Sequence, residues 1–63
     1  MARLAEVRRA HGLTQAQLAE AAGVHRVTIA RLELGEVSPK LETLERIADA
    51  LGVTIDEVVR GTA

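Results

Sequence analysis

The 63-residue chain contains no cysteine, phenylalanine, tyrosine or tryptophan, and only one proline. Without cysteine there is no disulfide, no thiolate zinc site and no thiol nucleophile. Without aromatic rings there is no platform on which the bases of single-stranded nucleic acid can stack. The core must be built from Leu, Ile, Val and Ala. A basic excess is also missing: eight Lys and Arg stand against nine Asp and Glu, for a net charge of −1. No stretch approaches the roughly 20 apolar residues that a membrane span needs. A signal-peptide pattern is absent as well. These absences predict a cytoplasmic protein with no membrane partner.

Length narrows the possibilities further. A chain of 63 residues is too short for a second core, so one domain over residues 1–63 is expected. It is also too short to hold a spacious substrate pocket. The expectation is a non-enzyme with no cofactor and no small-molecule ligand. Ser38 is the only serine and reads as a helix cap, not a nucleophile. Asp49, Asp56 and Glu57 show no pairing that suggests acid–base catalysis. His11 and His25 lack metal-ligand spacing, so no metal site is expected.

What is present is helical. Gly12, Gly23, Gly35, Gly52 and Gly61 punctuate the chain, and the stretches between them are rich in Ala, Leu, Glu and Arg. Thr14-Gln15-Ala16-Gln17 is a capping box, with Leu13 and Leu18 as its staple. Thr54-Ile55-Asp56-Glu57 is a second, stapled by Val53 and Val58. Ser38 before Pro39 reads as an N-cap with proline at the first helical position. His25 occupies the same slot before another helix, as a poorer cap. The pattern predicts an all-α fold of five helices at about 2–11, 15–22, 26–34, 39–51 and 55–60. Periodicity assigns the core to Leu4, Val7, Leu18, Ala19, Ala22, Ile29, Leu32, Leu41, Leu44, Ile47, Ala48, Leu51, Val53, Ile55 and Val58, with Val59 at its edge. His11 falls on the Leu4–Val7 face and is expected to be half-buried.

Residues Gln15 to Leu34 carry the functional signal. Two short helices flank a tight turn at Gly23, with Ala19 small where the helices cross and Leu18, Val24, Ile29 and Leu32 as the apolar contacts. This is the pattern of a helix-turn-helix, whose second helix enters a DNA major groove. On a helical wheel Ile29 and Leu32 face inward. Val27, Ala30, Arg31 and Leu34 point away, with Arg26 on the flank. Arginine can pair in bidentate fashion with guanine, and valine or alanine can touch a thymine methyl.

Leu4-Ala5-Glu6-Val7-Arg8, Gly12-Leu13-Thr14-Gln15, Leu18-Ala19, Gly23-Val24, Thr28-Ile29, Leu32-Glu33, Gly35, Pro39, Leu41-Glu42-Thr43-Leu44 and Ile47-Ala48-x-Ala50-Leu51-Gly52-Val53 resemble the lambda-repressor-like (Cro/cI, XRE) helix-turn-helix family. The likeness covers nearly the whole chain. It implies a compact five-helix DNA-binding domain that acts as a transcriptional repressor or antitoxin-type regulator on a double-stranded DNA operator. It implies that Gln15 contacts a phosphate and braces the recognition helix, although Gln15 also suits the first turn of its own helix. His25, Arg26, Val27 and Thr28 at the start of that helix, Arg31 one turn on, and Lys40 after Pro39 match the DNA-facing positions. Arg8 and Glu33 match a partly buried ion pair. Dimer contacts are implied around Ile55 to Gly61, so a weak homodimer through the C-terminal helix is expected.

Some residues depart from that pattern. Leu34 stands where a polar phosphate-contacting residue is usual, and Glu36 and Val37 occupy a loop that often carries Lys or Arg. An apolar outward face of Val27, Ala30 and Leu34 supports an alternative: a protein-interaction or scaffold module that keeps the fold without binding DNA. The near-neutral net charge does not exclude DNA, because the charge is unevenly distributed. Residues 1–40 carry six basic and four acidic side chains, net +2, and residues 41–63 carry two basic and five acidic, net −3. The positive half holds the helix-turn-helix.

Overall fold

The computed structural model describes residues 1–61. The expected domain of 1–63 therefore extends two residues beyond the described part. Five helices follow in order: α1 (Ala2–Ala10), α2 (Gln15–Ala22), α3 (Arg26–Leu34), α4 (Leu41–Leu51) and α5 (Ile55–Arg60). Among the described residues there is no strand, as the all-α reading expected. The helices α2, α3 and α5 start and stop where the sequence placed them.

Local chemistry sets the boundaries. The Thr14 box closes on both sides: Gln17 N donates to Thr14 Oγ1 at 3.1 Å, and Thr14 N donates to Gln17 Oε1 at 2.9 Å. These bonds satisfy two of the backbone donors that a helix start leaves without partners. The Thr54 box closes on one side, with Glu57 N donating to Thr54 Oγ1 at 3.1 Å. At the other end of α2, Gly23 adopts φ 70° and ψ 33°. This left-handed conformation costs an L-residue roughly 1–2 kcal/mol and glycine almost nothing. It lets Val24 N donate to Ala19 O at 3.0 Å and turns the chain toward α3.

One apolar cluster holds the five helices. Leu4, Val7, Leu18, Ala19, Ala22, Ile29, Leu32, Ile47, Ala48, Leu51 and Val58 are buried. Leu13, Val24, Leu44, Val53 and Ile55 are half-buried against them. Helix α2 packs on α3 and α4, and α1 packs on α3 and α5. No helix exceeds 11 residues, so none forms alone in water and packing supplies their stability.

Four expectations are corrected. Helix α4 begins at Leu41, with Lys40 as its N-cap, so Ser38 does not cap it and Pro39 lies outside it. Lys40 is extended (φ −76°, ψ 155°), and the first helical bond runs from Leu44 N to Lys40 O at 3.0 Å. Leu41 shares the phase of the buried stripe but is 65% exposed, and the core contacts of α4 begin with Leu44. Val59 is 49% exposed for a different reason: Val58 takes the buried position of α5, and its neighbour points outward. Helix α1 stops at Ala10, and His11 is its exposed C-cap, where the turn toward α2 begins.

Candidate nucleic-acid interface

The orientation of α3 is fixed from behind. Ile29 and Leu32 are buried in the core. One helical turn beyond Ile29, Glu33 joins three helices. Arg8 Nε of α1 donates to Glu33 Oε2 at 2.6 Å, and Arg8 Nη2 donates to Oε1 at 3.1 Å. Gln15 Nε2 of α2 donates to the same Oε1 at 2.9 Å. Arg8 Nη1 also donates to Leu13 O at 2.8 Å, which ties in the turn between α1 and α2. The bidentate fork suits arginine and carboxylate geometry and resists rotation of either partner. Among the described residues no buried side-chain nitrogen or oxygen lacks a partner, so the network is fully satisfied. The Met1 amino group adds a bond to Leu32 O at 2.7 Å near the end of α3.

Burial alone pushes the Glu33 carboxyl up. The hydrogen bonds from Arg8 and Gln15 and the charges of Arg8 and Arg9 outweigh it and hold Glu33 below the usual carboxylate range. The hydrogen bond to Glu33 raises Arg8 despite the opposing effect of burial. A depressed carboxylate stabilises the fold above its unfolded-state value, and that stability is lost as pH falls through the folded value. Thermal melts below about pH 4.5 are therefore expected to show a loss of stability that Glu33→Gln shows much less. Parallel acid profiles for the two proteins would contradict this.

With its inner flank held, α3 presents the opposite face to solvent. Arg26, Val27 and Arg31 are exposed, and Thr28 and Ala30 are half-buried. His25 is the exposed N-cap of α3, and its side chain makes no capping bond. Gln15 is half-buried at the start of α2, with its amide engaged by Glu33. Lys40 lies apart, exposed at the start of α4. The structure thus places Arg26, Val27, Thr28 and Arg31 on one short helix with His25 as its N-cap, and Gln15 bonded to Glu33 of that helix. The bond from Gln15 to Glu33 gives it the bracing role, and the amide retains a second N–H.

The basic side chains fall into two groups. Arg3, Arg8, Arg46 and Arg60 each form an ion pair, with Glu6, Glu33, Glu42 and Asp56 respectively. Among the described residues Arg9, Arg26, Arg31 and Lys40 form none. Three of these four cations were singled out in the sequence. Arg9 was not, because nothing in a sequence tells a compensated arginine from an uncompensated one. A surface cleft of about 590 Å³ runs between α1 and the outer face of α3. Its walls include Arg9, Gln15, Ala30 and Leu34.

Among the described residues no helix is long and apolar enough to cross a membrane. None of their His, Asp and Glu side chains forms a group of three able to hold a metal ion.

Residues 4–58 match the helix-turn-helix family HTH_3. Over 56 residues the chain is 45% identical to the cryptic phage CTXphi transcriptional repressor RstR of Vibrio cholerae, covering 89% of this chain and 50% of that protein. It is 40% identical over 57 residues to the immunity repressor protein of Bacillus phage phi105, covering 90% of this chain and 40% of that one. An uncharacterized HTH-type transcriptional regulator of Methanothermobacter thermautotrophicus is 55% identical over 47 residues, covering 75% of this chain and 68% of that protein. The chain spans half or less of the length of the two phage repressors.

Proposed function

The chain belongs to the HTH_3 helix-turn-helix family of the Cro/cI and XRE type, and from that premise we propose that it binds double-stranded DNA in a sequence-specific manner. Helix α3 enters the major groove, and the domain acts in transcriptional repression or regulation. One observation carries this reading. The exposed surface of α3 holds Arg26 and Arg31, which form no ion pair among the described residues, on a helix held in place by the part-buried bonds of Glu33 to Arg8 and Gln15. Fold stability does not account for those arginines, and a groove of acceptors and phosphates does. Arg26 and Arg31 read base edges, with guanine the natural partner of their paired donors. Val27 lies between them for contact with a thymine methyl. Thr28 and His25 flank the helix start, and Gln15 and Lys40 reach the backbone.

A single domain of this size makes a small interface, so specific occupancy calls for a two-fold dimer on half-sites about one helical turn apart. Exposed Val59 on α5 supports a weak homodimer through the C-terminal helix. Near-neutral net charge supports modest, strongly salt-dependent affinity.

Leu34, at 74% exposure, and Val37 favour the alternative of a protein-interaction module. Duplex binding by variants separates the two. Arg31→Ala or Arg26→Ala is expected to relax preference at one base pair by about 1–3 kcal/mol, whereas Lys40→Ala weakens binding to all sequences about equally. If the wild type and an Arg26→Ala, Arg31→Ala double variant bound every duplex alike, base reading by α3 would be excluded.

A further inference from the structure

Three of the four cations that form no ion pair among the described residues, Arg26, Arg31 and Lys40, belong to the proposed interface. The fourth, Arg9, lies outside the helix-turn-helix, in the last turn of α1. Its place in the fold is informative. Arg9 lines the same cleft as Gln15, Ala30 and Leu34, so it stands beside the outward face of α3 and the start of α2. The acidic groups of that cleft are already engaged: Glu6 by Arg3 at 3.1 Å, and Glu33 by Arg8 at 2.6 Å. Among the described residues Arg9 is the one cation lining the cleft; its charge acts on Glu33, but it forms no ion pair. On the cleft's other wall Leu34 offers no donor, and Glu36, two residues on, is acidic.

Groove dimensions give that position a meaning. A helix with its side chains is about 10–12 Å across, and the B-DNA major groove is about 12 Å wide. A seated α3 therefore fills the groove, and side chains on elements beside it meet the phosphate ridges. We infer that Arg9 is a phosphate-binding residue, with its guanidinium against the DNA backbone along the cleft between α1 and α3. The inference rests on the DNA-binding role proposed for α3. Arginine suits it because its planar fork matches phosphate oxygens. The contact fixes register and adds affinity without reading sequence.

The test is salt dependence, measured on a mixed-sequence duplex and on the preferred duplex. The proteins are the wild type, Arg9→Ala, Arg9→Lys and Arg46→Ala. Each phosphate contact adds about 0.9 to the slope of log affinity against log salt, so one lost contact makes the fall in affinity between 50 and 200 mM salt about 3.5-fold smaller. Arg9→Ala is expected to show that change and to weaken both duplexes by similar factors. Arg9→Lys keeps the slope. Arg46→Ala, which removes the same charge from the exposed pair with Glu42 on α4, also keeps it. If Arg9 served only the C-terminal dipole of α1, Arg9→Ala would lower the melting temperature and leave the slope unchanged. That outcome overturns the inference, and so does an equal change of slope in Arg46→Ala. A wild type that binds with an unaffected Arg9→Ala slope removes the Arg9 contact alone. A wild type that binds neither duplex removes the DNA-binding role and the contact with it.

Discussion

Arg8→Met is expected to cost about 3–5 kcal/mol of stability, because it strips the partner from a buried carboxylate. Arg8 is only 7% exposed, and Glu33 has no other cation within ion-pair distance among the described residues. A chain of this size holds roughly 3–9 kcal/mol in total, so the loss is comparable with the whole. Chemical denaturation of the two proteins measures it directly. At about 4 °C or more per kcal/mol, the melting temperature should fall by at least about 12 °C. Arg8→Lys recovers little, since an ammonium cannot reproduce the fork to Glu33 and the bond to Leu13 O together. The double variant Arg8→Met, Glu33→Leu is expected to regain most of the loss, because replacing a buried pair with apolar groups is often near neutral. A loss under about 1 kcal/mol for Arg8→Met would mean that Glu33 finds water instead, and that the three-helix brace is not structural.

Ile29→Ala is expected to cost about 2–5 kcal/mol, and Ile29→Val about 0.5–1.5 kcal/mol. Ile29 is fully buried in the middle of α3, where α3 meets the shared core. The gap between the two values measures how far the surrounding helices close around the cavity. The pair also separates folding from recognition. Ile29→Ala should lower DNA binding only as far as it lowers the folded fraction, while Arg31→Ala should lower binding with little change in melting. Equal stability of the wild type and Ile29→Ala would contradict the core assignment.

Much of this was legible in the chain because the local signals agreed with one another. Thr14 and Gln17, Gly23, and the spacing of Leu18, Ile29 and Leu32 all point to the same two helices, and α2 and α3 form where they point. Ser38 and Pro39 misled for a physical reason. Their cap grammar is purely local, and the extended Lys40, not Ser38, is the residue that precedes the first turn of α4. Periodicity places a residue on a face but does not say where that face runs out of partners, as Leu41 shows. The Arg8–Glu33 pair is what the resemblance implies. The third arm from Gln15 and the second bond of Arg8 to Leu13 O depend on side-chain reach across three elements. The candidate face of α3 was readable from its wheel. The division of eight cations into paired and unpaired was not, and it is that division which singles out Arg9.

Everything proposed for this chain depends on α3 reading duplex DNA. Selecting sites from a random duplex library at low salt, then titrating salt against the winner, tests it most directly. Binding through α3 as a two-fold dimer predicts a short palindromic site, with half-sites about one helical turn apart and a binding constant that falls steeply with salt. No enrichment, even with two copies joined covalently, would contradict it.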